Sequence, residues 1–119
     1  MKGITKVAIA GSRNFKDLDM VREYLWDWHP ACIHIVTGGA EGPDSVAEEW
    51  ARDNKLPLTV IKPDWAKHGK KAGILRNIDI VSQADEVVAF WDGESRGTKS
   101  TIEFALAQKK NLMVYFNRR

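Results

Sequence analysis

The stretch EVVAFWDGESRGT, residues 86–98, joins an apolar run to a loop rich in glycine and polar residues. The run EVVAFW (86–91) has the length and composition of a buried strand and is too short for a typical helix. The loop ends in Gly97 and Thr98, where the next amphipathic segment begins. A strand that passes through such a loop into a helix is the repeating unit of a parallel α/β sheet.

The rest of the chain repeats this unit. Apolar runs predict strands at 4–10, 32–37, 58–61 and 111–116, and amphipathic segments predict helices at 17–28, 43–54, 69–83 and 98–109. Strict alternation predicts a Rossmann-like three-layer sandwich, in which right-handed crossovers connect a five-stranded parallel sheet. The sequence shows no repeat or linker, and we expect residues 1–119 to form a single domain.

Two of these helices carry predictions about their buried faces. Asp17 is the expected N-cap of the first helix, whose predicted buried face consists of Leu18, Val21, Leu25 and Trp28. The third helix is expected to bury Ile74, Ile78 and Val81. Arg76 lies off that stripe and near the preceding loop, which favours a functional role.

Composition limits the classes of protein. Apolar residues make up 44% and charged residues 29% of the chain, as in soluble globular proteins. The net charge is +2, no more than Arg118 and Arg119 supply, and is too weak an excess to indicate binding of duplex DNA. There is neither an apolar run of 18 residues nor a leader of signal-peptide length, so we expect a cytoplasmic protein that does not associate with membranes.

Cysteine and histidine give no sign of metal chemistry. The single cysteine, Cys32, excludes an intrachain disulfide and lies in the apolar run ACIHIV, which indicates an inert core thiol. His29, His34 and His68 have no spacing typical of a metal site. We therefore expect neither a metal nor a cofactor.

Four loops are richer in glycine, hydroxyl and basic residues than turns require. AGSRNF, TGGAEGPD, KPDWAKHGKKAG and WDGESRGT follow the first four predicted strands. In a parallel sheet, all such loops emerge at the carboxyl edge, where helix N-termini also present free N–H groups. The sequence therefore predicts a ligand-binding edge.

The residue types in these loops suit a phosphorylated, nucleotide-like small molecule. Glycines let backbone amides approach an anion, hydroxyls and arginines bond phosphate oxygens, carboxylates accept ribose hydroxyls, and tryptophans stack on a base. The predicted ligand-binding residues are Gly11, Ser12, Arg13, Gly38, Gly39, Ala40, Gly42, Asp44, Asp64, Trp65, Lys70, Gly73, Arg76, Asn77, Trp91, Asp92, Gly93, Ser95, Arg96, Gly97 and Thr98.

Several of these residues have an equally plain alternative role. Trp91 ends an apolar strand and suits packing as well as stacking, whereas Trp65 lies in a polar loop and suits a ligand or a subunit contact. Lys70 and Lys71 also suit simple solvated charges. Neither the Walker spacing nor G-x-G-x-x-G after the first strand is present, which disfavours an NAD-dependent dehydrogenase.

The motifs GSRNF, TGGAEGPDSVAEEWA, KPDW, GKKAGILRN and ADEVVAFWDGESRGT occur in an order that resembles the SLOG superfamily, which includes the SMF/DprA and LOG proteins. Within it, the chain is most similar to the small YspA/YpsA-related family. The resemblance covers nearly the whole chain. It implies a Rossmann-like fold that often dimerises or assembles further, with a pocket for nucleotides or molecules derived from them.

The resemblance also bears on catalysis. LOG enzymes cleave the N-glycosidic bond of nucleoside 5′-monophosphates with an arginine in the third-helix region and the glutamate of Gly-Gly-x-Gly-Thr-x-x-Glu. Arg76 stands where that arginine is expected, but Thr101 stands at the glutamate position. Glu103 lies two residues further on, about 200° around a helix. The catalytic residues stay unassigned, with Arg76 and Glu103 as candidates if the protein is an enzyme. Asp92 or Glu94 could instead supply a carboxylate from the loop, but nothing in the sequence selects either.

Three functions follow, in order of preference. The first is a protein that senses, carries or sequesters a nucleotide, an ADP-ribose-like molecule or a cyclic nucleotide, as in bacterial or phage conflict. The second is a phosphoribohydrolase or a deoxyribosyltransferase-like enzyme. The third, single-stranded DNA binding in the manner of DprA, is disfavoured by the near-neutral charge. From the resemblance we expect a homodimer or higher homo-oligomer, and from the charge we disfavour nucleic acid as a partner.

Overall fold

A computed structural model describes residues 4–27 and 33–117. Its elements, in chain order, are β1 (Thr5–Gly11), α1 (Leu18–Trp26), β2 (Ile33–Thr37), α2 (Pro43–Asp53), β3 (Leu58–Val60), α3 (Trp65–His68), a 3₁₀ turn (Gly69–Lys71), α4 (Ala72–Gln83), β4 (Glu86–Trp91), α5 (Arg96–Ala107) and β5 (Asn111–Phe116). No helix in these two ranges is both long and apolar enough to span a membrane.

The five strands form one parallel sheet in the order β3-β2-β1-β4-β5. The predicted Rossmann-like fold is thus confirmed. The chain winds outward from β1 to β3 and then returns to the other side of β1 to place β4 and β5. The loops after β1 and β4 therefore diverge, which opens a crevice at the carboxyl ends of these two strands.

Apolar side chains cover both faces of the sheet. On one face, Phe90 is fully buried and its ring packs against those of Phe15, Tyr24 and Tyr115, with centroids 5.4–6.0 Å apart. On the other face, α4 and α5 pack on a second cluster that includes Val36, Val87 and Ala105. This packing fixes the end of β4, from which one wall of the crevice begins.

Most predicted boundaries agree with the structure to within two residues. The strands at 86–91 and 111–116 have the predicted bounds, and Asp17 caps α1 by accepting a hydrogen bond from the Met20 N–H at 3.1 Å. Val21 and Leu25 are buried as predicted. The predictions for Trp28, His29 and Cys32 lie outside the described residues.

The predicted helix at 69–83 is confirmed over most of its length and in the burial of Val81, but its start and the other two residues of its predicted buried face are wrong. The α-helix begins at Ala72, after a 3₁₀ turn, and buries Ala72, Asn77, Ile80 and Val81. Ile74 is 51% exposed and Ile78 is half-buried. The apolar spacing misled because polar Asn77 faces inward, where its side-chain amide donates to the Gly97 carbonyl at 3.2 Å. Similarly, α5 begins at Arg96 and not at Thr98, since Ser95 is its N-cap.

Candidate functional site

A cleft of about 480 Å³ opens at the crevice between the loops after β1 and β4. Its polar lining comes from both of these loops, from the loop after β2 and from α4. The predicted site residues that line it are Gly11, Arg13, Ala40, Asp44, Arg76, Asn77, Asp92, Ser95, Gly97 and Thr98. The order of the strands therefore brings residues from distant parts of the sequence to one position.

Gly11 allows the end of β1 to approach α2 closely. A Cβ atom at this position would lie 2.3 Å from Cγ of Pro43, the first residue of α2. Such a distance is a severe overlap, and the proline ring has little freedom to move away. Gly11 is thus required for the packing that forms one side of the cleft.

A hydrogen-bond network ties the loops after β1 and β4 together. The buried Ser12 hydroxyl lies 3.1 Å from Asp92 Oδ1 and 3.2 Å from Thr98 Oγ1. Asp92 Oδ1 also accepts from the N–H groups of Ser95 and Glu94 at 2.8 and 2.9 Å. These amides, with that of Ser95 contributing most, lower the pKa of Asp92. Asp92 is therefore an ionised residue that shapes the loop.

The N-terminus of α5 points its first amides toward the cleft. The Ser95 hydroxyl accepts from the Thr98 N–H at 3.3 Å, and the Trp91 indole N–H donates to the Ser95 carbonyl at 3.0 Å. Among the described residues, no acceptor bonds the N–H of Gly97. This arrangement leaves a helix N-terminus that favours a negatively charged group in the cleft.

Two arginines add positive charge to the cleft. Arg76 donates from Nη1 to the Gly38 carbonyl and from Nε to Asn77 Oδ1, both at 2.8 Å. Burial chiefly, and the charge of Arg13, lower the pKa of Arg76, while Asp44 opposes this shift. In the described part of the chain, neither guanidinium forms an ion pair with a carboxylate. Two cations without an ion-pair partner therefore face the same space, which suits a bound anion.

Asp44 holds the loop after β2. Its side chain is 5% exposed, and Oδ2 accepts from the N–H groups of Gly38 and Ala40 at 3.2 and 3.3 Å. Burial raises the pKa of Asp44 to about 6, against the opposing effects of the Ala40 amide and the Arg76 charge. The nearby Thr37 hydroxyl also lowers this pKa. Thr37 Oγ1 and Asp44 Oδ1 are both buried, and neither forms a hydrogen bond within the described residues.

Asp44 makes a pH-dependent contribution to stability. Because the pKa is raised from 3.8 to about 6 in the folded state, folding favours the protonated acid. Stability from this group is present below about pH 4 and is lost as the pH rises through about 6, by about 3 kcal/mol in total. Urea unfolding of the wild type and Asp44→Asn from pH 4 to pH 7 should show this loss in the wild type alone. Parallel pH profiles would contradict the assignment.

The remaining predicted site residues have other positions. Ser12 lies buried behind the cleft, and Gly38, Gly39 and Gly42 form the adjoining backbone. Asp64 caps α3 by accepting from the Lys67 N–H, and Trp91 packs on Phe116. The residues that do not line the cleft are Ser12, Gly38, Gly39, Gly42, Asp64, Trp65, Lys70, Gly73, Trp91, Gly93 and Arg96. These assignments stay predictions.

The cleft also contains residues that sequence reasoning omitted. Asn14 lines it, as do the apolar residues Ala10 and Ile80. Glu94, one of the two loop carboxylates left open as a catalytic group, also lines it. Asn14 directly follows Arg13 in the first glycine loop, so its place in that loop was an available signal. No sequence signal marked Ile80 as a cleft residue, since an apolar residue in a helix is typical of a core.

The positions associated with hydrolysis lack a carboxylate in the cleft. Thr101 lines it but is 2% exposed, and its hydroxyl donates to the Gly97 carbonyl at 3.2 Å. Glu103 is exposed and is not part of the lining. Within the described ranges, no group of three His, Cys, Asp or Glu side chains is arranged to hold a metal ion.

Comparison with known proteins identifies relatives. The model of the YspA, cpYpsA-related SLOG family matches residues 5–68. The Gene 61 protein of Mycobacterium phage D29 is 42% identical over 103 residues, which span 79% of this chain and 82% of the phage protein. The motifs that resemble SLOG proteins are thus supported by an independent family match.

Two solved structures of DNA processing protein A, DprA, share the fold. That of Helicobacter pylori, reported for its single-stranded DNA binding mode, has a TM-score of 0.69 and 23% identity over 94% of this chain. That of Streptococcus pneumoniae has a TM-score of 0.77 and 19% identity over 93%. This chain spans 65% and 50% of the two DprA chains, respectively.

The expectation that disfavoured nucleic acid as a partner is wrong. Its ground was the near-neutral charge, but the fold is shared with DprA, whose H. pylori member binds single-stranded DNA. A net charge averages over the surface and conceals local excess. Residues 62–76 carry five cations and one carboxylate, a net +4, so the rest of the chain carries −2.

Proposed function

Because this chain belongs to the YspA, cpYpsA-related SLOG family, we propose that it binds a phosphorylated nucleotide or nucleotide derivative in the cleft between β1 and β4. The observation that carries the proposal is the pair of arginines, Arg13 and Arg76, which face the cleft without an ion-pair partner among the described residues. A phosphate group can accept hydrogen bonds from both guanidinium groups.

The N-terminus of α5 gives the phosphate a second set of partners. The Gly97 N–H has no described acceptor, and the side chain of residue 97 is absent, so an oxygen atom can approach the backbone. A helix N-terminus stabilises an anion by its dipole and by direct N–H donation. Guanidinium and amide donors then contact one phosphate from two sides.

Polar side chains beside the arginines suit the sugar and base. Asn14, Asn77 and Glu94 line the cleft and offer both donors and acceptors to hydroxyl and ring nitrogen groups. The volume of about 480 Å³ lies within the usual range for small-molecule sites, roughly 300–1,000 Å³. These features support a nucleotide-sized ligand over free phosphate.

We favour binding without turnover, as in a protein that senses, carries or sequesters its ligand. Cleavage of an N-glycosidic bond needs a carboxylate beside the sugar. Asp44 is occupied by the Gly38 and Ala40 amides, Asp92 by its own loop, and Glu103 lies outside the cleft. Glu94 lines the cleft, but no side-chain hydrogen bond or ion pair among the described residues fixes its carboxylate beside a sugar. The cleft thus has several donors for a phosphate but no carboxylate held in place for hydrolysis.

Calorimetric titration tests the proposal directly. AMP, ADP-ribose and a cyclic dinucleotide are titrated into the purified protein, and the same mixtures are analysed for free base after prolonged incubation. We expect saturable binding of at least one of them and no base release. Absence of binding by all three would contradict the proposal, and liberated base would establish the hydrolase in its place.

Single-stranded DNA binding is the second candidate function. The specific observation in its favour is the fold shared with H. pylori DprA, combined with the +4 charge of residues 62–76. In this case the cleft would hold one nucleotide of a strand. Competition separates the candidates: excess AMP should displace a labelled oligothymidylate from a cleft that serves both, whereas independent binding indicates two surfaces.

A further inference from the structure

A second charged surface lies outside the cleft, on the segment that connects β3 to α4. We propose that this segment binds single-stranded nucleic acid, with a base stacked on Trp65 and phosphates contacted by lysines. The lysine–tryptophan surface consists of Trp65 with Lys62, Lys67, Lys70 and Lys71. It does not include any residue that lines the cleft.

Trp65 is held in the open by its local structure. Every residue from Asp64 to Lys71 is exposed, and Trp65 retains 57% of its accessible surface. Asp64 fixes the short helix α3 by accepting from the Lys67 N–H at 3.1 Å. A large aromatic ring at such a position contributes little to the core and leaves its face accessible to a ligand.

The Trp65 ring lies close to the first turn of α4. The Cη2 atom lies 3.6 Å from the position of a Cβ at Gly73, in the first turn of α4. The ring therefore rests against the helix where glycine leaves room for it, while more than half of its surface remains available. An aromatic ring supported in this way can stack with a nucleic-acid base, which contributes about 1–3 kcal/mol per base.

No ion pair among the described residues involves the lysines of this surface. The ion pairs found among residues 4–27 and 33–117 join Arg22 to Asp19 and Arg52 to Glu48, and neither involves this surface. Asp64 is the one carboxylate in 62–76. Because unpaired cations at one place attract phosphates and release their counterions, binding should depend strongly on salt concentration.

The surface is continuous with the cleft. Lys62 lies along the glycine loop after β2, since its Cε is 3.6 Å from the position of a Cβ at Gly39. The neighbouring Gly38 carbonyl accepts from Arg76, which faces the cleft. A strand whose base stacks on Trp65 can thus continue past Lys62 toward the phosphate partners of the cleft.

Unpaired bases distinguish this surface from one that binds duplex DNA. Stacking on a side chain needs the face of a base, which a duplex keeps within its own stack. The geometry therefore favours single strands. DNA and RNA share the phosphates and base faces used here, and a comparison of oligothymidylate with oligouridylate separates the two sources.

Fluorescence anisotropy tests the proposal with labelled strands of about 12 nucleotides. Trp65→Ala should weaken binding of the better strand about 5- to 100-fold, and Trp65→Phe should recover most of it. Trp26→Ala is the matched control, because Trp26 is also exposed, at 82%, but lies on α1. Replacement of Lys67, Lys70 and Lys71 with glutamine should reduce the salt dependence by about 2 in log–log slope.

This experiment distinguishes strand binding at the lysine–tryptophan surface from nucleotide binding in the cleft. Trp65→Ala should leave the affinity for AMP unchanged, so loss of strand binding with intact AMP binding assigns the two surfaces separately. The proposal is overturned if Trp65→Ala binds the strand as the wild type does, if duplex competes as well as single strand, or if anionic vesicles bind while oligonucleotides do not. It rests on the second candidate function, single-stranded nucleic-acid binding, and survives a failure of AMP binding.

Discussion

Replacement of Arg76 with alanine is expected to weaken nucleotide binding about 10- to 100-fold, because a hydrogen bond to a charged group contributes about 1.5–3 kcal/mol. Arg76 lines the cleft, and its orientation is fixed by bonds to the Gly38 carbonyl and Asn77. No reorganisation is then needed when a phosphate arrives. Calorimetry with the nucleotide that binds the wild type best measures the loss.

Two further variants make this prediction specific. Arg76→Lys keeps the charge but loses the planar guanidinium group, whose donors lie in a fixed geometry for the loop and a phosphate. Its affinity should fall between those of the wild type and Arg76→Ala. Arg22→Ala removes an exposed arginine that pairs with Asp19 on α1, and it should bind as the wild type does. If Arg76→Ala retained full affinity, the cleft would not be the phosphate site.

Gly11→Ala is expected to lower the free energy of unfolding by about 3 kcal/mol, the upper part of the range for overpacked positions. The added methyl group would lie 2.3 Å from Pro43 Cγ and 2.5 Å from Pro43 Cβ. The proline ring is rigid and opens α2, so relief requires a shift of the helix relative to β1. Urea denaturation with the midpoint and slope compared gives the change.

Gly73→Ala is the matched control for Gly11→Ala. Its added methyl group meets only the edge of Trp65, at an ordinary contact distance of 3.6 Å, and alanine favours a helix over glycine. We expect a gain of about 0.5–1 kcal/mol in the free energy of unfolding. Equal stabilities of the two alanine variants would show that the close approach of β1 and α2 does not constrain the fold.

The fold was predictable because its signal is local. Each strand is a short apolar run and each long helix an amphipathic segment, and the two alternate without exception. The carboxyl edge followed from the rule that parallel strands end together. Gly11, Arg76 and Gly97 could thus be assigned to one region, although no local feature shows that β1 and β4 are neighbours.

The roles of individual residues depended on long-range contacts that the sequence does not display. Asp44 was expected to accept a ribose hydroxyl, but it is buried and bonded to the Gly38 and Ala40 amides. Trp91 was a stacking candidate, but its indole N–H is bonded to the Ser95 carbonyl. Both side chains stabilise the loops that form the cleft. In neither case does the residue type show whether the side chain stabilises a loop or contacts a ligand.

The segment 62–71 shows a different limit. It has no apolar periodicity, and the predicted helix therefore began at 69, whereas the chain forms α3, a 3₁₀ turn and then α4. The positive charge of this segment is also concealed in the net charge of the chain, because the rest of the chain is negative. The local excess becomes informative only when the structure shows that Trp65 and the lysines of this segment are exposed.

The most direct test of the nucleotide cleft is an amide NMR titration of the ¹⁵N-labelled protein with AMP and ADP-ribose. We predict saturable shifts of the Gly97 and Thr98 N–H signals and of the Arg76 Nε–H signal, with the Trp65 indole signal unmoved. Shifts that omit Gly97 and Arg76, or spectra that both nucleotides leave unchanged, would contradict the account of this cleft as a nucleotide phosphate site.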